Sequence, residues 1–125
     1  MAITPYCSIN EWAQKKGYDT FALFIAKHTD YVTEEALTDM LEEATSMMND
    51  EIGSGDTNIT DTRYTTILRN LCYRMSNLMV DEEQGRAHEQ KRSQYIPRDY
   101  MYERDRSRLQ RIGLVKGYRA VGQVG

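Results

Sequence analysis

Two histidines, two cysteines, one glycine-rich loop and a dense set of carboxylates are the residues of this chain whose types could do chemistry. His88 is followed by Glu89, but no second histidine stands four positions on, so the helix spacing of a zinc protease is absent. His28 has no such partner either. Gly53-Ser54-Gly55-Asp56 lacks the Lys-Ser/Thr pair that a phosphate-cradling loop requires. Cys7 and Cys72 show neither metal nor redox spacing and read as small buried hydrophobes. The carboxylates have no His or Cys beside them, which favours a solvated or partner-facing stripe over a metal site. No enzymatic activity and no cofactor are expected.

Two features ask for a partner instead. Glu35, Asp39 and Glu43 follow one another at i, i+4, i+8, with Glu42 alongside. Like charges at that spacing repel by roughly a few tenths of a kcal/mol per pair, and no Lys or Arg occurs between Lys27 and Arg63 to relieve them. The second feature is tyrosine usage: nine Tyr against one Trp and two Phe. Tyr95, Tyr100, Tyr102 and Tyr118 are interleaved with Arg98, Arg104, Arg106, Arg108, Arg111 and Arg119. Tyr and Arg are enriched at protein interfaces. The same mixture stacks on bases and contacts phosphates, so a small nucleic-acid-binding protein using its basic C-terminal half is the alternative reading.

These side chains must be placed by helices, because only Pro5 and Pro97 interrupt the chain. Ser8 caps a short helix from Ile9 to Lys16, ended by Gly17. The run from Thr20 to Lys27 fits a buried strand or two helical turns; capping by Asp19 or Thr20 favours the helix. Thr33 to Ile52 is the clearest element. Its apolar arc is Ala36, Leu37, Met40, Leu41, Ala44, Met47, Met48 and Ile52, and the acidic stripe lies opposite. After the loop Gly53 to Asn58, Asp61 or Thr60 caps a second long helix reaching about Gln84. Its arc runs through Tyr64, Ile67, Leu68, Leu71, Cys72, Met75, Leu78 and Met79, so the two helices form an antiparallel hairpin. Tyr73 and Val80, seven apart, fall on its outer face as an exposed patch or a contact. Arg86 to Gln94 fits either an exposed turn or a helix extension. A third helix is expected from Pro97 to Ile112, stopping at Gly113, with a thin apolar side of Met101, Tyr102, Leu109 and Ile112. Beside that side lies a basic stripe, Arg104, Arg108 and Arg111.

The fold class expected is therefore all-α. A small bundle over residues 1–113 is built on the hairpin, and an extended C-terminal tail over 114–125 needs a partner to order. A length of 125 residues sits in the usual range of one domain, so a two-domain enzyme is nearly excluded. No apolar run approaches the ~18–20 residues that cross a bilayer, the first residues carry no signal-peptide pattern, and two cysteines fit a reducing cytoplasm. Net charge is −3, but the chain is asymmetric. Residues 1–62 hold 3 basic and 12 acidic side chains, and residues 63–125 hold 13 and 7. The front half is thus at −9 and the back half at +6, a division suited to head-to-tail association or a nucleic-acid-facing end.

Order and spacing resemble a known family. Tyr6-Cys7-Ser8-Ile9-Asn10-Glu11-Trp12 is similar to the Y-x-[ST]-hydrophobic-x-[DE]-hydrophobic start of small head–tail connector proteins of tailed phages, also called head-completion or adaptor proteins. Leu37 to Asp50 (LTDMLEEATSMMND) resembles that family's next long helix. A Gly-rich loop, a second long helix and a basic C-terminal region follow in both, although the family's Pro-rich or aromatic loop before the second helix is not evident. The likeness covers most of Tyr6 to Val80. It implies a virion protein that forms a ring, usually of twelve subunits, beneath the portal protein at the capsid–tail neck, assembled in the host cytoplasm. Such a ring extends the channel for genomic DNA and presents a platform to the next neck or tail-completion protein; no membrane is involved. On this reading Glu35, Asp39, Glu42, Glu43, Tyr73, Val80, Arg104, Arg108 and Arg111 form subunit contacts. Leu114, Val115, Tyr118, Arg119, Val121 and Val124 dock on the portal or a neighbour.

Overall fold

The computed structural model describes residues 3–84 and 99–120, and within them the chain is all-α. Ser8 opens α1 (Ile9–Lys15) with a reciprocal capping box: its Oγ accepts from the Glu11 N–H at 3.1 Å, and its own N–H donates to Glu11 Oε1 at 2.9 Å. Thr20 caps α2 (Phe21–Lys27), so the ambiguous apolar run is helical. Thr33 caps α3 (Glu34–Ile52), which ends on Gly53 at φ +94°, a left-handed conformation that glycine adopts without strain. Asp61 caps a 3₁₀ turn (Thr62–Tyr64) that runs directly into α4 (Thr65–Glu83).

The last described helix, α5, spans Glu103–Val115 and departs from expectation at both ends. Pro97 lies outside the described residues. Upstream, Tyr100 sits at φ +61°, and the Tyr102 N–H donates to Asp105 at 3.0 Å, so the helix begins after Tyr102. Downstream, Gly113 is inside the helix rather than past its end. A Cβ at this position would lie 2.1 Å from the Ile52 carbonyl oxygen of α3, so glycine is required there by close helix packing. The real terminator is Gly117 at φ +83°. The Tyr118 N–H donates to the Gly113 carbonyl at 2.8 Å and the Gly117 N–H to that of Leu114, a Schellman closure. Leu114 and Val115 are thus helical, and the stretch to Tyr118 is folded back rather than extended.

α3 is the central element, touching α1, α4 and α5. Midway along it, Thr45 Oγ1 lies 3.5 Å from Cys72 Sγ of α4, while Tyr31, just before α3, donates to Asp81 near the end of α4. The two helices therefore run in opposite directions. The core contains Leu37, Leu41, Ala44, Met48 and Ile52 of α3 with Leu68, Leu71, Cys72, Met75 and Met79 of α4. Met40 and Met47 are only partly buried beside it. A second focus of packing forms around Trp12, whose ring meets Phe24 edge-on at 5.1 Å and also contacts Phe21, Tyr31 and Tyr73. Lys16 Nζ lies 4.7 Å above the same indole and donates to Asn77 of α4.

That second focus corrects one expectation. Val80 is 1% exposed and so does not lie on an outer face, whereas Tyr73 is half-buried, with one side packed against Trp12. Helix α1 runs beside α4, through the Lys16–Asn77 bond and the Arg69–Glu11 ion pair at 3.5 Å. It covers a flank that the hairpin alone leaves open.

Polar groups at core positions of α3 form the other unexpected feature. Thr45 and Asn49 are fully buried. The Tyr6 N–H donates to Thr45 Oγ1 at 3.0 Å, and the Tyr6 hydroxyl donates to Asn49 Oδ1 at 2.6 Å while accepting from the Ile59 N–H at 2.8 Å. Asn49 Nδ2 donates to Asn58, which in turn donates to the Thr4 carbonyl. The N-terminal arm, the end of α3 and the α3–α4 connection are tied through one hydroxyl.

Two substitutions test this architecture. Gly113→Ala forces α5 off α3 and should lower stability by about 1–3 kcal/mol, read as a fall in the urea midpoint. Tyr6→Phe leaves Asn49 and the Ile59 N–H without their partner and should cost about 1–3 kcal/mol; an unchanged midpoint would show the hydroxyl to be dispensable.

Candidate functional site

The acidic stripe is where the helical spacing put it. Glu35, Asp39 and Glu43 are exposed and Glu42 is half-buried, all on the side of α3 turned away from the Leu37–Leu41–Met48 core. Among the described residues none of the four carboxylates pairs with a cation. Ala36 and Met40, both half-buried, border the stripe.

The basic stripe is also presented outward. Arg104, Arg108 and Arg111 are exposed on α5 and make no ion pair with a described residue. Their neighbours on the same helix behave otherwise. Arg106 is engaged by Asp99, Glu51 and Glu103, and Asp105, 5% exposed, binds Arg74 of α4 at 2.6 Å. Asp105 is therefore neutralised by a charge-assisted bond across the α4–α5 seam. Arg104 and Arg108 stand at the edge of a groove of ≈ 550 Å³ along that seam, whose lining also includes Ile67, Asn70, Leu71 and Tyr73.

The two stripes do not meet within the chain. α5 is fixed to the far end of α3, through Gly113 over Ile52 and the Gln110–Glu51 bond at 2.6 Å, and no residue of the acidic stripe lines the groove. Near the stripe, the Tyr100 hydroxyl donates to Glu82. Burial, that bond and the nearby Glu82 and Glu43 charges push its pKa up to about 12, so it stays a donor.

At the C-terminal end the expected docking residues divide. Val115 (57% exposed) and Tyr118 (41%) are open apolar side chains, and Leu114 is half-buried. Arg119 is committed internally: its Nε donates to the Glu51 carbonyl at 2.7 Å, capping the negative end of α3. It is therefore corrected from a docking residue to a helix cap. Val121 and Val124 lie outside the described residues.

The remaining chemical candidates have structural surroundings. His28 stacks on Phe24 at 4.7 Å and shares a 3.0 Å hydrogen bond with Tyr18, while His88 lies outside the described residues. Cys7 and Cys72 are buried free thiols. Burial pushes both upward, Cys7 to about 12, so neither is a ready nucleophile at neutral pH. Among the described residues no group of three His, Cys, Asp or Glu side chains is arranged to hold a metal ion, and no helix is long and apolar enough to cross a membrane.

What the spacing could not reveal were the cross-element partners: Arg74 for Asp105, Glu51 for Arg119, and Asp61 for Lys116. The Asp61 carboxyl is held well below the usual aspartate range, first by side-chain hydrogen bonds from Arg63, then by the Arg63 N–H, and further by Lys116. A carboxyl depressed by folding adds stability above its ordinary pKa and loses it as pH falls toward the folded value. Asp61→Asn should therefore melt below the parent at neutral pH, and the two melting temperatures should converge as pH drops below 3.8. Comparison with protein-family models, with curated proteins and with solved structures gave no match for this chain.

Proposed function

We propose that this chain is a head–tail connector subunit of a tailed phage, assembling as a ring beneath the portal and extending the channel through which genomic DNA passes. One observation carries the reading. A single small helical domain holds an outward acidic face, Glu35, Asp39 and Glu43, and an outward basic face, Arg104, Arg108 and Arg111, and neither finds its counter-charge among the described residues of its own chain. Different patches that complement one another make a heterologous contact, and such contacts generate closed rings when the rotation per subunit closes. The resemblance of Tyr6–Trp12 and Leu37–Asp50 to connector proteins supplies the biological setting: the virion neck, with the portal on one side and a neck or tail-completion protein on the other.

The open apolar end formed by Val115 and Tyr118 suits a contact with the portal or an adjacent component. The burial of Val80 and the bond that commits Arg119 to the Glu51 carbonyl narrow the expected surfaces without removing either stripe.

The test combines the purified full chain with a portal protein encoded in the same genome. Negative-stain imaging should show rings stacked on the portal, and the isolated chain should bind duplex DNA weakly. A 1:1 complex in place of rings would overturn the reading. Strong DNA binding by the isolated chain that falls steeply with added salt would favour the nucleic-acid alternative.

A further inference from the structure

The groove along the α4–α5 seam has an unusual charge arrangement. Of its ionised lining groups, Arg74 and Asp105 cancel each other at 2.6 Å, which leaves Arg104 and Arg108 as its uncompensated charges among the described residues. Ile67 and Leu71 give the same groove an apolar lining. It is a shape for a ligand with an acidic rim and a small apolar border.

We infer that the occupant is the acidic edge of α3 from a second copy of this chain, an inference that rests on the connector reading and names its contact surface. The match is one of charge and composition: Arg104 and Arg108 line the groove four residues apart on α5, and Glu35, Asp39 and Glu43 stand at the same four-residue spacing on α3. On the acidic side, half-buried Ala36 and Met40 lie beside the carboxylates, where they can meet half-buried Ile67. No residue of the chain's own stripe lines the groove. The contact is consequently between copies and runs head to tail. Arg74 and Asp105 fix the groove wall but contribute no net charge to the contact.

Charge exchange tests this in the full chain, without a portal. One variant carries Arg104→Glu and Arg108→Glu; the other carries Glu35→Lys, Asp39→Lys and Glu43→Lys. All five positions are exposed, so circular dichroism should match the parent, and melting should shift only slightly, through the reversed charges of Glu35 and Arg104 in the first turns of α3 and α5. Sedimentation velocity at low ionic strength should show concentration-dependent association of the parent that weakens with salt. Each variant alone should associate at least roughly tenfold more weakly, the scale expected when like charges face each other. Mixing the two variants should restore association, because the reversed groove then meets the reversed stripe. A parent that stays monomeric, a variant that associates as the parent does, or a mixture that fails to recover would overturn the inference. Failure here with rings still forming on the portal would reject this contact and leave the connector reading standing. Association confirmed here without portal binding would do the reverse.

Discussion

Burying Asn49 in the middle of a helical core is tolerable only because Tyr6 reaches it. An amide taken from water without a partner costs about 1–3 kcal/mol by mutational measures. Here its oxygen accepts from the Tyr6 hydroxyl at 2.6 Å and its nitrogen donates to Asn58 at 2.8 Å. The same hydroxyl accepts from the Ile59 N–H. The consequence extends beyond one side chain. The N-terminal arm is held against the end of α3, which sets where α1 lies on the bundle. With α1 in place, Trp12 and Lys16 cover the flank of α4 that contains Tyr73 and Val80. The end of α3 in turn receives α5, through Ile52 and Glu51.

The fold thereby separates charges that a looser arrangement would let meet. Arg106, Arg119 and Lys116 are used internally, on Asp99 and Glu51, on the α3 carbonyl terminus and on Asp61. Arg104, Arg108 and Arg111 are turned outward on the same helix. Part of the basic half is thus absorbed in tying α5 down, while Arg104, Arg108 and Arg111 form an outward stripe. Surface ion pairs of this kind contribute little to folding individually, about 0–1 kcal/mol each. Their arrangement matters more for which surfaces stay open.

Much of the local structure was legible in the sequence. Ser8, Thr20 and Thr33 are capping residues by type and each accepts an N–H of the helix it opens, whereas Asp61 caps the 3₁₀ turn before α4 rather than α4 itself. The acidic stripe followed from helical periodicity alone. The buried polar positions left a faint trace: Thr45 and Asn49 stand four apart within the apolar arc, where solvent is not available to them. Gly113 left a misleading one. A glycine near the end of a helical run is usually a terminator, but this one is needed for contact with a backbone sixty residues earlier in the chain.

The sequence by itself determined where α1 to α4 lie, the caps of α1, α2 and α3, the all-α class and the faces that carry acid and base, because these depend on interactions within a few residues. Tertiary structure decided the rest: that Val80 is interior, that Arg119 caps α3, that Gly113 is a packing glycine, and that Arg104 and Arg108 border a groove while Arg74 is cancelled by Asp105. Each of these rests on a partner distant in the chain, and periodicity registers only the face a residue occupies, never what is brought against it.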